Sequence, residues 1–188
     1  MTSELRQILH ELARGERRRL GRLIDLFGEE LMSYLLAITG NRETAEDVFQ
    51  DTWVRVMERI ECFDLEREFA PWLFTVARHR AYDLLRRRRF LSFVGISRGE
   101  SEEHALVPVD GIPFERRLID ADLAHTLLTR LEPSQREIIW LRYWRELSYE
   151  EIARHCGLRL GTVKSRLFRA LRQLETLAPE PKEPPPHA

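Results

Sequence analysis

The chain has 188 residues, 43% of them hydrophobic and 32% charged, with a formal net charge of −1. That length exceeds one small domain and allows two modest cores, and the near-zero charge means that no global excess marks a nucleic-acid binder. No apolar run approaches the ~20 residues of a membrane span, Met1–Leu12 is too polar for a signal-peptide core, and two distant cysteines, Cys62 and Cys156, make no disulfide framework.

The expectation is a soluble, cytoplasmic protein without membrane insertion. Its charge is unevenly spread. Lys164 and Lys182 are the only lysines, so arginine carries nearly all positive charge, and its planar fork suits phosphate and guanine better than a point charge does. One basic zone is Arg86-Arg87-Arg88-Arg89, and a second comprises Arg159, Lys164, Arg166, Arg169 and Arg172, with acidic residues collected between them.

In chain order, residues 1–19 read as an N-terminal extension. Leu20, Leu23, Ile24, Phe27, Leu31, Tyr34, Leu35 and Ile38 then recur at helical spacing, and Gly40-Asn41 ends that helix. A second helix carries an apolar stripe of Val48, Trp53, Val54, Met57 and Ile60, with Thr44 and Asp47 at capping-box spacing. A polar loop runs from Phe63-Asp64 to Glu68. Pro71 sits in the first turn of a third helix, where proline is tolerated, and Trp72, Leu73, Val76, Ala77, Ala81, Leu84 and Leu85 lead into the arginine block. No period-two strand is present, so the predicted class is all-α: two small helical domains joined by a flexible linker.

The linker is residues 92–119, broken by Gly95, Gly99, Pro108, Gly111 and Pro113 and acidic through Glu100, Glu102, Glu103 and Asp110. The first domain is thus 20–91 and the second 120–178. Residues 179–188 hold five prolines and are expected to be a disordered tail.

The sharpest local signal is Leu147–Leu174. Ser148 and Glu151 make a capping box, Ala153 is small enough for a close helix crossing, and Gly157 supplies a positive-φ turn. Leu158 plugs the space between the helices. Thr162 is placed to cap a second helix that buries Val163, Leu167, Ala170, Leu171 and Leu174. Its other face presents Lys164, Ser165, Phe168, Arg169, Arg172 and Gln173, the residue types that reach phosphates, guanine edges and thymine methyls. This is a helix-turn-helix. By itself it fits a response-regulator or quorum-sensing domain equally well.

The first domain separates these readings. Ala45-Glu46-Asp47-Val48-Phe49-Gln50-Asp51-Thr52-Trp53, Phe69-Ala70-Pro71-Trp72-Leu73-Phe74-Thr75-Val76-Ala77-Arg78 and Ala81-Tyr82-Asp83-Leu84-Leu85 followed by the four arginines resemble the first conserved domain of extracytoplasmic-function sigma factors. Leu147-Ser148-Tyr149-Glu150-Glu151-Ile152-Ala153 and Gly161-Thr162-Val163-Lys164-Ser165-Arg166-Leu167 resemble the second, and the order and spacing also match.

The resemblance implies a subunit that gives bacterial RNA polymerase its promoter specificity. Asp47, Gln50 and Asp51 would dock on the clamp helices of the largest subunit, the second domain would meet the flap, and an anti-sigma factor would hold the protein inactive. Phe63, Asp64, Arg78, His79, Asp83, Arg86 and Arg87 would bind and melt the −10 element, and the loop at Phe63-Asp64 would capture an unstacked base. Thr162, Lys164, Ser165, Arg166, Phe168, Arg169 and Arg172 would read the −35 element, for which a sequence containing AAC is expected. His79 departs from the asparagine common in the family, which leaves the −10 base open. Trp72, Leu73 and Val76 lie on the apolar stripe and read as core. The linker's acidic residues read equally as a nucleic-acid mimic near the RNA exit path and as a solvated tether.

Other classes fit less well. The sequence has no phosphate-cradling glycine loop, no supported Ser-His-Asp set and no paired carboxylates in a recognisable site, so no enzyme and no cofactor is expected. His155-Cys156 lacks partners at metal-ligand spacing, so no metal site is expected and Cys156 reads as a buried structural thiol. A stand-alone dimeric regulator would need a sensing or dimerisation domain in place of residues 20–90. A protein that occupies polymerase without reading DNA would have no use for the face from Lys164 to Arg169.

Overall fold

The computed structural model describes residues 2–93, apart from the Ser92 side chain, and 128–177. Every regular element among these residues is helical. The chain divides into two compact units, each described by itself. The expectations for the linker and the tail fall outside the described residues, apart from Ser92 and Phe93, which continue the last helix of the first unit.

Among the described residues, the first unit holds four α-helices. α1 spans Ser3–Ala13, opened by the Thr2 hydroxyl, which accepts from the Leu5 N–H at 3.3 Å. Ile8, Leu9 and Leu12 on one face are buried, and the helix packs on α2 and on the turn at Ile60–Cys62. Residues 3–13 therefore add a helix to the first core where the sequence suggests only an extension. The Glu11 carboxylate pairs with Arg19 at 2.5 Å and ties α1 to the 3₁₀ turn Arg17–Arg19.

α2 spans Leu20–Thr39 and α3 spans Arg42–Arg59. The junction follows from two residues. Gly40 adopts φ 68°, which glycine reaches without Cβ strain, and its N–H returns to the Leu36 carbonyl at 2.8 Å. Asn41 then caps α3, its side-chain oxygen accepting from the Thr44 N–H and hydroxyl, each at 2.8 Å. Thr44 is thus the buried third residue of the helix and not its cap, because the helix starts three residues earlier than the Thr44–Asp47 spacing suggests.

Two further details of α3 differ from expectation. Val54 is 55% exposed, and Val56 is buried in its place. Position 54 faces away from the buried arc, on which Thr44, Ala45, Val48, Thr52 and Val56 succeed one another at helical spacing. Thr52 tolerates full burial because its hydroxyl donates to the Val48 carbonyl at 2.7 Å.

After a 3₁₀ turn at Ile60–Cys62, α4 spans Phe69–Phe93. Phe63, Phe69 and Trp72 form an aromatic cluster, with Phe63 4.9 Å from Trp72 and 5.6 Å from Phe69 between ring centroids, and Phe27 of α2 joins at 5.4 Å from Phe69. Such edge and tilted contacts stabilise by roughly 0.5–1.5 kcal/mol beyond area burial. Of the three residues expected in the core, Leu73 is fully buried, whereas Trp72 and Val76 are half-buried, Trp72 within the aromatic cluster.

The second unit holds α5 (Pro133–Tyr143), α6 (Tyr149–Cys156) and α7 (Leu160–Leu177). Pro133 opens α5 at a position that needs no N–H donor, and the Gln135 side chain accepts from the Glu132 N–H at 2.9 Å. Buried Arg136 donates to the Leu131 carbonyl at 2.6 Å. Ile138, Ile139, Trp140 and Leu141 of α5, Ile152 and Cys156 of α6, and Val163, Leu167, Ala170 and Leu174 of α7 make the core. Cys156 is buried, as expected of a structural thiol.

Candidate nucleic-acid and polymerase interface

The helix-turn-helix is built by local chemistry. The Ser148 hydroxyl accepts from the Glu151 N–H at 3.2 Å, and the Ser148 N–H and hydroxyl donate to the Glu151 carboxylate at 2.8 and 2.7 Å. The hydroxyl and then the backbone N–H of Ser148, with the nearby Arg154 charge, hold the Glu151 carboxyl below its ordinary pKa. Gly157 ends α6 with φ 65°, and the Leu158 N–H bonds the Ala153 carbonyl at 2.9 Å. Leu158 is half-buried.

α7 begins at Leu160, so Thr162 is inside its first turn and not its cap, and the Thr162 N–H bonds the Arg159 carbonyl at 2.9 Å. Thr162 and Arg166 are half-buried. Lys164, Ser165, Phe168, Arg169 and Arg172 are exposed together on one face. Phe168 is 62% exposed, and the Arg172 guanidinium lies over its ring at 5.6 Å. The Ser165 hydroxyl donates to the Thr162 carbonyl at 3.1 Å, and Arg169 Nε donates to the Ser165 carbonyl at 3.3 Å. Gln173, read from sequence as part of this face, is half-buried and donates to the Arg130 carbonyl at 3.1 Å. An exposed aromatic beside cations has little reason to stay in water for stability alone, and it suits stacking or a thymine methyl.

In the first unit, α3 and α4 run side by side and line an open groove of about 310 Å³. Asp47, Gln50 and Asp51 reach it from α3, and Arg80, Asp83 and Arg87 from α4. The sets expected to hold polymerase and the −10 element therefore share a boundary. Asp47, Gln50 and Asp51 are exposed, as are His79, Arg86 and Arg87. Asp51 forms an ion pair with Arg80, and Asp83 pairs with Arg86 one turn on. Arg78 lies over the Tyr82 ring at 4.8 Å.

Phe63 and Asp64 part company. Asp64 is exposed and accepts from the Glu66 N–H at 3.1 Å, whereas the Phe63 ring is turned into the aromatic cluster at 8% exposure. Phe63 thus forms the floor of that loop, and Asp64 its accessible member.

The sequence reading omits three side chains of these surfaces. Arg80 joins α3 to α4, Tyr149 lies beside Lys164, and Arg142 lies over the Tyr149 ring. Arg80 is one turn before Asp83 and Leu84 on α4, a signal that it shares their face; its partner, 29 residues earlier, has no such signal.

The model of Sigma-70 region 2 matches residues 23–90, and that of Sigma-70 region 4 matches residues 121–174. The chain is 31% identical over 186 residues to the ECF RNA polymerase sigma factor BldN of Streptomyces coelicolor, covering 95% of this chain and 67% of the relative. It is 36% identical over 154 residues to the ECF RNA polymerase sigma factor SigL of Mycobacterium tuberculosis, covering 81% and 84%. The sigma factor RpoE of Bartonella quintana, solved in complex with the anti-sigma factor NepR, superimposes with a TM-score of 0.64 at 28% identity, over 84% of this chain and 94% of that one. With the region 2 match falling on α2 to α4 of the first unit, the helix-turn-helix within the region 4 match, and BldN and SigL alike over most of their length, the chain belongs to the extracytoplasmic-function family of RNA polymerase sigma factors.

Proposed function

We propose that this protein directs bacterial RNA polymerase to a defined set of promoters, acting in the cytoplasm as a binding subunit and not as an enzyme. Its first domain, residues 20–91, docks on the clamp helices of the largest subunit through Asp47, Gln50 and Asp51. The same domain engages the −10 element through Asp64, Arg78, His79, Asp83, Arg86 and Arg87, with Phe63 beneath the loop. Its second domain, residues 120–178, meets the flap and sets Lys164, Ser165, Phe168 and Arg169 in the major groove of the −35 element, with Thr162, Arg166 and Arg172 toward the phosphates. Residues 92–119 tether the two and set their effective concentration.

The supporting observation is that one chain carries a capped helix-turn-helix with an exposed basic and aromatic face and, separately, a paired acidic and basic helix surface. A stand-alone operator-binding regulator has no need of the second surface. The sigma factor RpoE of Bartonella quintana was solved with its anti-sigma factor, and we extend that mode of control to this chain: an anti-sigma factor covers these surfaces until it is released.

Titration of core polymerase with the full chain and with an Asp47→Ala/Gln50→Ala/Asp51→Ala variant tests the docking assignment. The variant is expected to bind at least tenfold more weakly while keeping its helical content. Equal affinity would move the docking surface elsewhere.

A further inference from the structure

We infer that Tyr149 is a positioning residue for base selection: its ring holds the Lys164 ammonium at the promoter-reading face of α7. The inference rests on the reading of α7 as the helix that enters the −35 major groove.

Lys164 is exposed and carries a four-carbon stem, so an unrestrained ammonium would sample many positions and read a base edge poorly. It is restrained. Its Nζ lies over the Tyr149 ring at 5.7 Å from the centroid, within the range where the ring's negative face attracts a cation. The ring is itself fixed. Tyr149 is the first residue of α6, directly after Ser148, whose reciprocal bonds with Glu151 pin that turn. The Arg142 guanidinium of α5 also lies over it at 5.1 Å and donates to the Leu147 carbonyl at 2.9 Å, two residues before the tyrosine.

Two cations converging on one ring would otherwise repel each other. Arg142 is tethered by its hydrogen bond to the Leu147 carbonyl, so Lys164 is the more mobile of the two cations. The scaffold helix, the turn and the first helix of the motif thus jointly set one side chain of the second helix. Because the ring, and not the phenol hydroxyl, performs this role, phenylalanine should replace Tyr149 and an aliphatic residue should not.

The test uses full-length protein with core polymerase and a promoter library randomised at the −35 element, read as fold-discrimination at each base pair. Lys164→Ala is expected to lower discrimination about tenfold at one base pair. Tyr149→Leu should lower it several-fold at that same base pair and add nothing in the Tyr149→Leu/Lys164→Ala double variant, while Tyr149→Phe keeps the native preference. Retained discrimination in Tyr149→Leu, or an equal loss on all sequences, overturns the inference while leaving α7 as the reading helix. A silent Lys164→Ala overturns both. A second readout needs no variant: the Lys164 side-chain methylene protons should show an upfield ring-current shift in the NMR spectrum of the full chain, and random-coil values would overturn the placement even if Tyr149→Leu failed to fold.

Discussion

The Arg80 guanidinium on α4 pairs with the Asp51 carboxylate on α3, joining residues 29 apart in sequence. The side chain of Arg80 is 24% exposed and that of Asp51 is 54% exposed, so water screens the pair on one side only. Arg80 Nε is buried without a hydrogen-bond partner among the described residues. The pair therefore holds the helix proposed to engage the −10 element against the helix proposed to dock on polymerase, at the edge of the groove that both line.

Because Asp51 is more than half exposed, the pair should contribute only about 0.2–1 kcal/mol to stability. Denaturant unfolding of Asp51→Ala, Arg80→Ala and the double variant should give a coupling energy of that size. Strict additivity would show that the two side chains do not interact in solution.

The Ser148–Glu151 box makes a separate prediction. Ser148→Ala should destabilise the second unit by about 0.5–2 kcal/mol, measured by thermal unfolding. The box also makes stability depend on pH. The Glu151 carboxyl is lowered from its ordinary value of 4.5 by the Ser148 hydroxyl and N–H, so the folded state binds this proton less readily than the unfolded state. The stabilisation is full above pH 4.5 and is lost as pH falls through the lower folded value. Glu151→Gln should flatten that part of the acid limb, and an unchanged acid limb would contradict the assignment.

Gly157 isolates a backbone effect. A Cβ added there would meet nothing within 4 Å, yet φ is +65°. Gly157→Ala should therefore cost roughly 1–2 kcal/mol through the left-handed backbone alone, with Gly157→Asn costing less. Chemical denaturation of the three proteins checks the order.

Much of this was legible because it is local. Gly40, Asn41, Ser148, Glu151 and Gly157 act on neighbours within four residues, so their positions alone announce the helix ends. The errors have equally local causes. Asn41, not Thr44, caps α3, because both are good capping types three residues apart and only the fold chooses between them. Thr162 is a good capping type, but Leu160 and Gly161 before it are already helical. α1 offers only Ile8, Leu9 and Leu12 as a buried stripe, too short a pattern to distinguish from a solvated extension until α2 and the turn at Ile60–Cys62 cover it. The surfaces were legible by residue type: Lys164, Phe168 and Arg169 stand exposed where the pattern put them. Their supports, Arg80, Arg142 and Tyr149, were not, since contacts between helices leave no short-range mark in a sequence.

On the recognition face, Arg169→Ala should cost about 1–3 kcal/mol in promoter affinity and relax selectivity at one base pair, whereas Arg86→Ala should weaken binding evenly across sequences and lower the salt slope by about one. Holoenzyme titrations at several salt concentrations on two promoter variants separate the outcomes. A uniform loss for Arg169→Ala would place that side chain on phosphate.

The most direct test of the whole account is transcription in vitro, with purified full-length protein, bacterial core polymerase and a library of promoter sequences. The account predicts initiation only when the protein is added, from templates that share a −35 and a −10 element at fixed spacing. No initiation, with the protein alone binding a palindromic duplex, would contradict it and make this chain a conventional operator-binding regulator.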